Sequence, residues 1–207
     1  RCTNKVFLAE LLRRHNVATP NTIVLHRDNV ATAAETLGYP FVIKKPDSSF
    51  SQGVIRIRSA RALQEHVTEF LGESELLVAQ EYLPTEFDWR IGILDRRPLY
   101  ACKYYMAPGH WQIIRQEKHG RGRYGKSETI PVELAPRKAV ALALKAANLI
   151  GDGLYGVDVK QSGGTFYVIE VNDNPNIDSG CEDSILRNEL YRRIMDVFLD
   201  RIERRKA

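Results

Sequence analysis

Asp158, Glu170 and Asn172 are three oxygen donors at spacings that suit a hard divalent cation. Glu170 and Asn172 lie two apart, so on a strand they project to one face, and Val168, Ile169 and Val171 give that segment β-branched character. Ser162-Gly163-Gly164-Thr165 reads as a hairpin turn that folds Gly156-Val157-Asp158-Val159 back alongside, which lays Asp158 near Glu170. Magnesium takes one or two carboxylates and completes its shell with substrate phosphates, so a nucleotide is the expected partner. The same residues also suit a plain half-buried hairpin with a polar outer face, and on this segment alone both readings stay open.

A nucleotide triphosphate needs further positive charge and hydrogen-bond donors. Lys44 and Lys45 close an apolar run, Pro40 to Ile43; on an alternating strand they point to opposite faces, and Lys44, which shares a face with Val42, is favoured for phosphate. Asp47 to Gly53 is small and hydroxyl-rich, able to offer N–H and O–H groups as a lid, with Ser49 and Gly53 as candidate contacts. Its spacing is neither that of a P-loop nor of a dinucleotide fingerprint. Leu77 to Pro84 reads as a strand running into a hinge whose backbone can read a base edge, or as a plain core strand. From Gly109 to Lys126 the chain gathers His110, Arg115, Lys118, His119, Arg121, Arg123 and Lys126 against Glu117. That run is either a solvated charged loop or a cover for an acidic substrate held by Arg115 and Arg121; the two histidines read as structural or surface groups.

The elements that must position these groups follow from apolar periodicity. A helix is expected over 4–15, a strand at 22–25, a helix at 29–37 closed by Gly38, strands at 40–44 and 54–58, a helix from Ser59 to Leu71, and a strand at 76–82. Segments 88–94 and 99–106 flank a turn at Asp95 to Pro98, and a polar stretch, 107–127, reads as a mobile element. Pro136 opens a helix rich in alanine and leucine that Gly151 ends, and 184–205 closes as an amphipathic helix. The pattern is α+β, in two lobes: residues 1–84 with the leading helix, and 85–207 with the metal hairpin.

Composition narrows the class. Hydrophobic residues at 43% and charged residues at 27% are ordinary for a globular protein, and no run of apolar residues is long enough for a membrane helix. Three widely spaced cysteines suit reduced thiols, which with the missing secretory signal points to the cytoplasm. A net charge of +4 admits an anionic partner, but ATP satisfies it without nucleic acid.

With strand-end lysine, small-residue lid, hinge strand and Gly156-Val157-Asp158-Val159 followed by Ile169-Glu170-Val171-Asn172-Asp173-Asn174-Pro175, the chain resembles the ATP-grasp superfamily, above all its RimK-type and glutathione-synthetase-type carboxylate–amine ligases. The resemblance implies the ATP-grasp fold and two lobes that grip ATP. It also implies two magnesium ions, with manganese as a substitute, on Asp158, Glu170 and Asn172, Glu170 bridging them. Lys5 and Lys44 would contact phosphates; Gln80, Glu81 and Leu83 would line the adenine hinge; Asp88 would hold the ribose; and Arg90 and Lys103 would face the transferred phosphoryl group as catalytic residues. The activity implied is amide or peptide bond formation through an acyl phosphate, with RimK-like glutamate ligation as one form, from a small-molecule or peptide carboxylate and an amine. No membrane or nucleic-acid partner is expected, and assembly as a homo-oligomer stays open. Relatives carry a further amino-terminal domain that this sequence does not contain, and the lid here is poorer in glycine, with Phe50 at its centre. Two rivals remain: phosphotransfer to a hydroxyl on the same fold, and a non-catalytic nucleotide- or RNA-binding module.

Overall fold

The computed structural model describes residues 4–48, 53–116 and 122–206, so Ser49, Phe50, Arg121 and most of the expected lid lie outside the described residues. The chain opens with helix α1, Lys5–Arg14, capped by the Asn4 side chain, which accepts from the Phe7 N–H at 3.0 Å. Strand β1, Thr22–Leu25, helix α2, Val30–Leu37, and strands β2, Phe41–Lys44, and β3, Val54–Ile57, follow. Helix α3, Ala60–Glu73, starts at the Ser59 cap and leads to strand β4, Leu77–Glu81. The strands form an antiparallel sheet in the order β1-β4-β2-β3. Phe41, Ile43, Leu77 and Ala79 pack with α2 and α3 residues in one core. The alternate residues Val42, Lys44 and Gln80 face away from that core, toward the second sheet.

That sheet is built from β5, Phe87–Leu94, β6, Arg97–Tyr105, β9, Ser127–Ile130, β10, Leu154–Ser162, and β11, Thr165–Asn172, in the order β11-β10-β5-β6-β9. Asp95 and Arg96 take positive φ angles of 47° and 61°, the backbone a two-residue hairpin needs to match strand twist. Pro98, expected in the turn, falls inside β6 opposite Ile93, at a register shift where a missing N–H is tolerated. The polar stretch after β6 contains a small ribbon, β7, Ile114–Arg115, with β8, Arg123–Tyr124, and ends in β9. Strand β9 is a short, polar edge strand without apolar alternation, which is why sequence pattern reads it as loop.

Helix α4, Arg137–Ile150, presents Ala139, Ala143, Ala146 and Ala147 to the sheet, a smooth face that lets helix and strands approach closely. Against it lie Trp89, Ile91, Ile93, Val157, Val159, Val168 and Val171. Leu8, Leu12 and Val17 join this same core, so the leading helix, expected with the first lobe, packs its apolar stripe into the second. Helix α5, Asn188–Arg204, begins later than expected because Arg187 takes a φ of 51°, outside helical geometry. It covers part of the opposite face of the second sheet through Leu190, beside Tyr100 and Cys102.

Candidate active site

One detail of β11 decides the site. Val168 and Val171 both face the α4 core although three positions separate them, and strict alternation would then turn Glu170 inward. The register with β10 slips between Asp158 and Val159, leaving Ile169 as the extra residue of a bulge. Glu170 thereby pairs with Asp158, and both Ile169 and Glu170 line a cavity of about 150 Å³ between the two sheets. The first sheet contributes Val42, Lys44, Val54 and Gln80 to this cavity, the hinge contributes Tyr82 and Leu83, and the second sheet contributes Asp88, Asp158 and Lys160. Val54, Tyr82, Trp111 and Gln112 also line an adjoining groove of about 1020 Å³, so the two spaces are contiguous.

Charged groups run in a row across the second sheet. Asp158 stands opposite Glu170 on one side and Arg90 on the other. The Arg90 guanidinium grips Asp158 as a fork, Nε on one carboxylate oxygen and Nη2 on the other at 3.0 Å. Burial alone would lower the Arg90 pKa, but the Asp158 carboxylate raises it overall, so this cation is permanent. Its guanidinium sits 5.2 Å from the centre of the Tyr104 ring, and the Tyr104 hydroxyl donates to Glu182, which is 1% exposed and also accepts from the Asp178 N–H at 2.7 Å. Gly156 makes room for this arrangement: a Cβ there would come within 2.8 Å of Pro175 and 3.0 Å of the Arg90 side chain.

Lys5 reaches from α1 toward the same row, its Nζ 3.5 Å from Glu170 and bonded to the Ser48 carbonyl. Lys44 donates to Gln80 Oε1 at 2.6 Å, and Gln80 in turn donates to the Thr22 hydroxyl at 3.0 Å. Burial pushes the Lys44 ammonium down to about 8, with Lys5 and Lys160 adding to the effect and Glu170 and Asp88 opposing it. Lys45 points the other way, as alternation requires, and pairs with Glu73 at 2.5 Å. Glu81 lines the cavity and accepts from the Asn21 N–H at 3.2 Å.

Several expected residues stand elsewhere. Lys103 is opposite Trp89, on the α4 side of the sheet, where it pairs with Glu128 at 3.2 Å; alternation along β6 puts it on the face opposite to that of Arg90. Asn172 follows Glu170 on the same face, opposite Gly156, but does not line the cavity. Gly53 takes a φ of 63° beside Lys45 and lies off the cavity wall, while Arg115 is exposed on the β7–β8 ribbon. Asp88 lines the cavity, and one of its oxygens already accepts from Lys160 at 2.6 Å and from the Thr85 hydroxyl at 2.9 Å. Lys160 was missed from sequence although it follows Asp158 by two on an alternating strand, which was signal enough. Trp111, which reaches the cavity from the polar stretch and stacks edge-on against Tyr82 at 5.7 Å, left no such signal.

The family model for the RimK-like ATP-grasp domain matches residues 2–186. A probable alpha-L-glutamate ligase of Thioalkalivibrio sulfidiphilus is 29% identical over 182 residues, covering 86% of this chain and 58% of that protein. One from Pseudomonas fluorescens is 26% identical over 208 residues, covering 99% of this chain and 64% of that protein. The chain therefore spans under two thirds of the length of either relative. Among solved structures, D-alanine–D-alanine ligase from Bacillus anthracis superposes with a TM-score of 0.76 at 18% identity, covering 100% of this chain and 70% of that one, which shows a shared fold.

Proposed function

We propose, because the chain belongs to the RimK-like ATP-grasp domain family, that it is the catalytic region of an ATP-dependent carboxylate–amine ligase. The observation that carries this reading is the convergence of Lys5, Lys44, Asp158 and Glu170 on one cavity between the sheets, with Arg90 clamped to Asp158 behind its wall. Phosphates would lie at the Lys5, Lys44 and Arg90 end, the base against Glu81 to Leu83, and the sugar beside Asp88. The substrate carboxylate oxygen would attack the γ-phosphorus, releasing ADP and leaving an acyl phosphate. The amine would then attack the acyl carbon and expel phosphate, giving the amide. No protein nucleophile is needed, and Cys102, on the Arg90 face, is unsuited to the part because burial pushes its thiol up to about 12.

The donor set fits a magnesium ion. Asp158 and Glu170 offer hard carboxylate oxygens side by side, Asn172 an amide oxygen on the same face, and among the described residues no three His, Cys, Asp or Glu side chains cluster, so these residues would hold the ion together with phosphate and water. Such an ion, when bound, neutralises charge on the triphosphate as it shifts toward the leaving ADP. Arg90 and Lys44 oppose the same charge from fixed positions, and removing either group is expected to cost about 10²-fold or more in rate.

Glutamate is our choice for the ligated amino acid, since both relatives above are named glutamate ligases. Among the described residues no helix is long and apolar enough to cross a membrane, and dependence on ATP favours the cytoplasm. Hydroxylamine trapping tests the reading: with Mg·ATP and the right carboxylate the chain should yield a hydroxamate and ADP, and Glu170→Gln should yield neither. Conversion of ATP to ADP with the γ-phosphoryl group passed to a substrate hydroxyl, and no hydroxamate, would instead establish a phosphotransferase.

A further inference from the structure

Lys160 has no part in the row of groups assigned to phosphate or metal, yet it is enclosed in the cavity with its side chain 16% exposed. Its Nζ lies 2.6 Å from Asp88 Oδ1 and 2.7 Å from the Thr85 hydroxyl, and Thr85 donates to that same Asp88 oxygen at 2.9 Å. The three side chains come from different places: Thr85 from the hinge, Asp88 from β5 and Lys160 from β10. Both hydrogen bonds to Asp88 end on Oδ1, and no hydrogen bond to Oδ2 occurs among the described residues. A carboxylate held by two donors on one oxygen keeps its ionised form and a fixed plane, and turns its second oxygen into a preset acceptor. Burial holds the Asp88 pKa above its ordinary value even though Lys160 and Thr85 pull it down, so loss of Lys160 would move it further toward the protonated acid.

Position completes the argument. Asp88 and Lys160 line the cavity between the hinge residues Tyr82 and Leu83 and the charged row at Asp158 and Glu170, the stretch a nucleotide sugar must cross if its base and phosphates occupy those two ends. A vicinal diol presents two O–H donors, which an ionised carboxylate accepts and a protonated acid accepts poorly.

We propose that Lys160 is a positioning residue for the sugar: by fixing Asp88 as an oriented carboxylate, it makes the site select ribonucleotides over deoxyribonucleotides. The proposal rests on the nucleotide-site reading above. Hydrogen bonds to a charged acceptor imply that the chain binds Mg·ATP about tenfold or more tightly than Mg·dATP. Lys160→Met should bring that ratio to about twofold or less, chiefly by weakening ATP, while Lys160→Arg, which keeps charge and donors, should restore most of it. A purely structural role would weaken both nucleotides alike and leave the ratio standing.

Titration calorimetry of Mg·ATP and Mg·dATP against the full chain and both variants is the test. Because Lys160→Met leaves Asp88 buried without its cation and so risks the fold, Asp88→Asn serves as a second variant; it is nearly isosteric and should lose the ratio equally. Binding of Mg·ATP with no preference over Mg·dATP in the parent chain overturns this proposal and leaves the ligase reading intact, as does a ratio that survives Lys160→Met or Asp88→Asn. Absence of Mg·ATP binding by the parent chain overturns the nucleotide site itself, and this proposal with it.

Discussion

Replacing Lys44 by methionine should abolish a proton uptake that accompanies nucleotide binding to the parent chain. Burial lowers the Lys44 pKa from 10.5 to about 8, so near pH 8 half of the free chains carry a neutral amine there. Triphosphate favours the charged form and raises the pKa again, so binding draws a proton from solvent. The uptake follows the neutral fraction: about half a proton at pH 8, under about a tenth at pH 7 and about nine tenths at pH 9. Affinity should correspondingly weaken by about tenfold per pH unit above pH 8. Calorimetric titrations of Mg·ATP in Tris and in HEPES, whose ionisation enthalpies differ, measure the uptake directly at each pH. The Lys44→Met chain should bind more weakly, with an enthalpy that does not depend on buffer. Buffer-independent binding to the parent chain at pH 8, or an uptake that survives in Lys44→Met, would refute the placement of Lys44 against phosphate.

The other predictions concern stability and placement. A lysine whose pKa falls on folding weakens the fold below about pH 8, and the penalty fades as pH rises toward 10.5; at neutral pH it is at most about 3 kcal/mol, offset by about 1–2 kcal/mol for the Gln80 oxygen that loses its donor. Lys44→Met should therefore hold or raise the melting temperature at pH 7 even as it weakens binding, and a drop of several degrees would count against it. Asp158→Asn leaves the Arg90 guanidinium buried without its counter-charge, a loss of about 3–5 kcal/mol that denaturant melts would show as a lower midpoint with unchanged slope. Gly156→Ala must displace Pro175 or Arg90, costing about 1–3 kcal/mol by chemical denaturation and moving the guanidinium, so hydroxamate formation should fall as well. Lys103→Met, on the α4 side of the sheet, should change Mg·ATP affinity by less than about twofold, since it breaks a pair with Glu128 and contacts with the Phe87 and Trp89 rings, all on the side away from the cavity; a tenfold loss would place Lys103 in the site after all.

Much of this protein is legible along the chain because local periods record which face each element buries. Phe41 and Ile43 alternating with Val42 and Lys44 separate core from cavity on β2, and the same rule sends Lys45 away. Gly163 and Gly164, with φ angles of 56° and 79°, mark the turn that returns β11 to β10, and the alanine face of α4 announces close packing. The kinds of chemistry at hand, hard oxygen donors and strand-end lysines, are properties of residue type and need no coordinates.

Placement was decided elsewhere. A segment cannot by itself specify which residue of a neighbouring strand it faces, because register is fixed by cross-strand hydrogen bonds and by the burial of whole sheets. The bulge at Ile169 is the clearest case: alternation from Val168 sends Glu170 into the core, and only pairing with β10 turns it to the cavity beside Asp158. Register likewise parts Lys103 from Arg90, although the family resemblance implies that both face the phosphoryl group. The leading helix carries an apolar stripe that either lobe could have covered, and packing against the second sheet settled it. Lys160 and Asp88 are 72 positions apart, a separation at which sequence pattern carries no contact information; only the closed sheet, with β5 beside β10, brings their charges together.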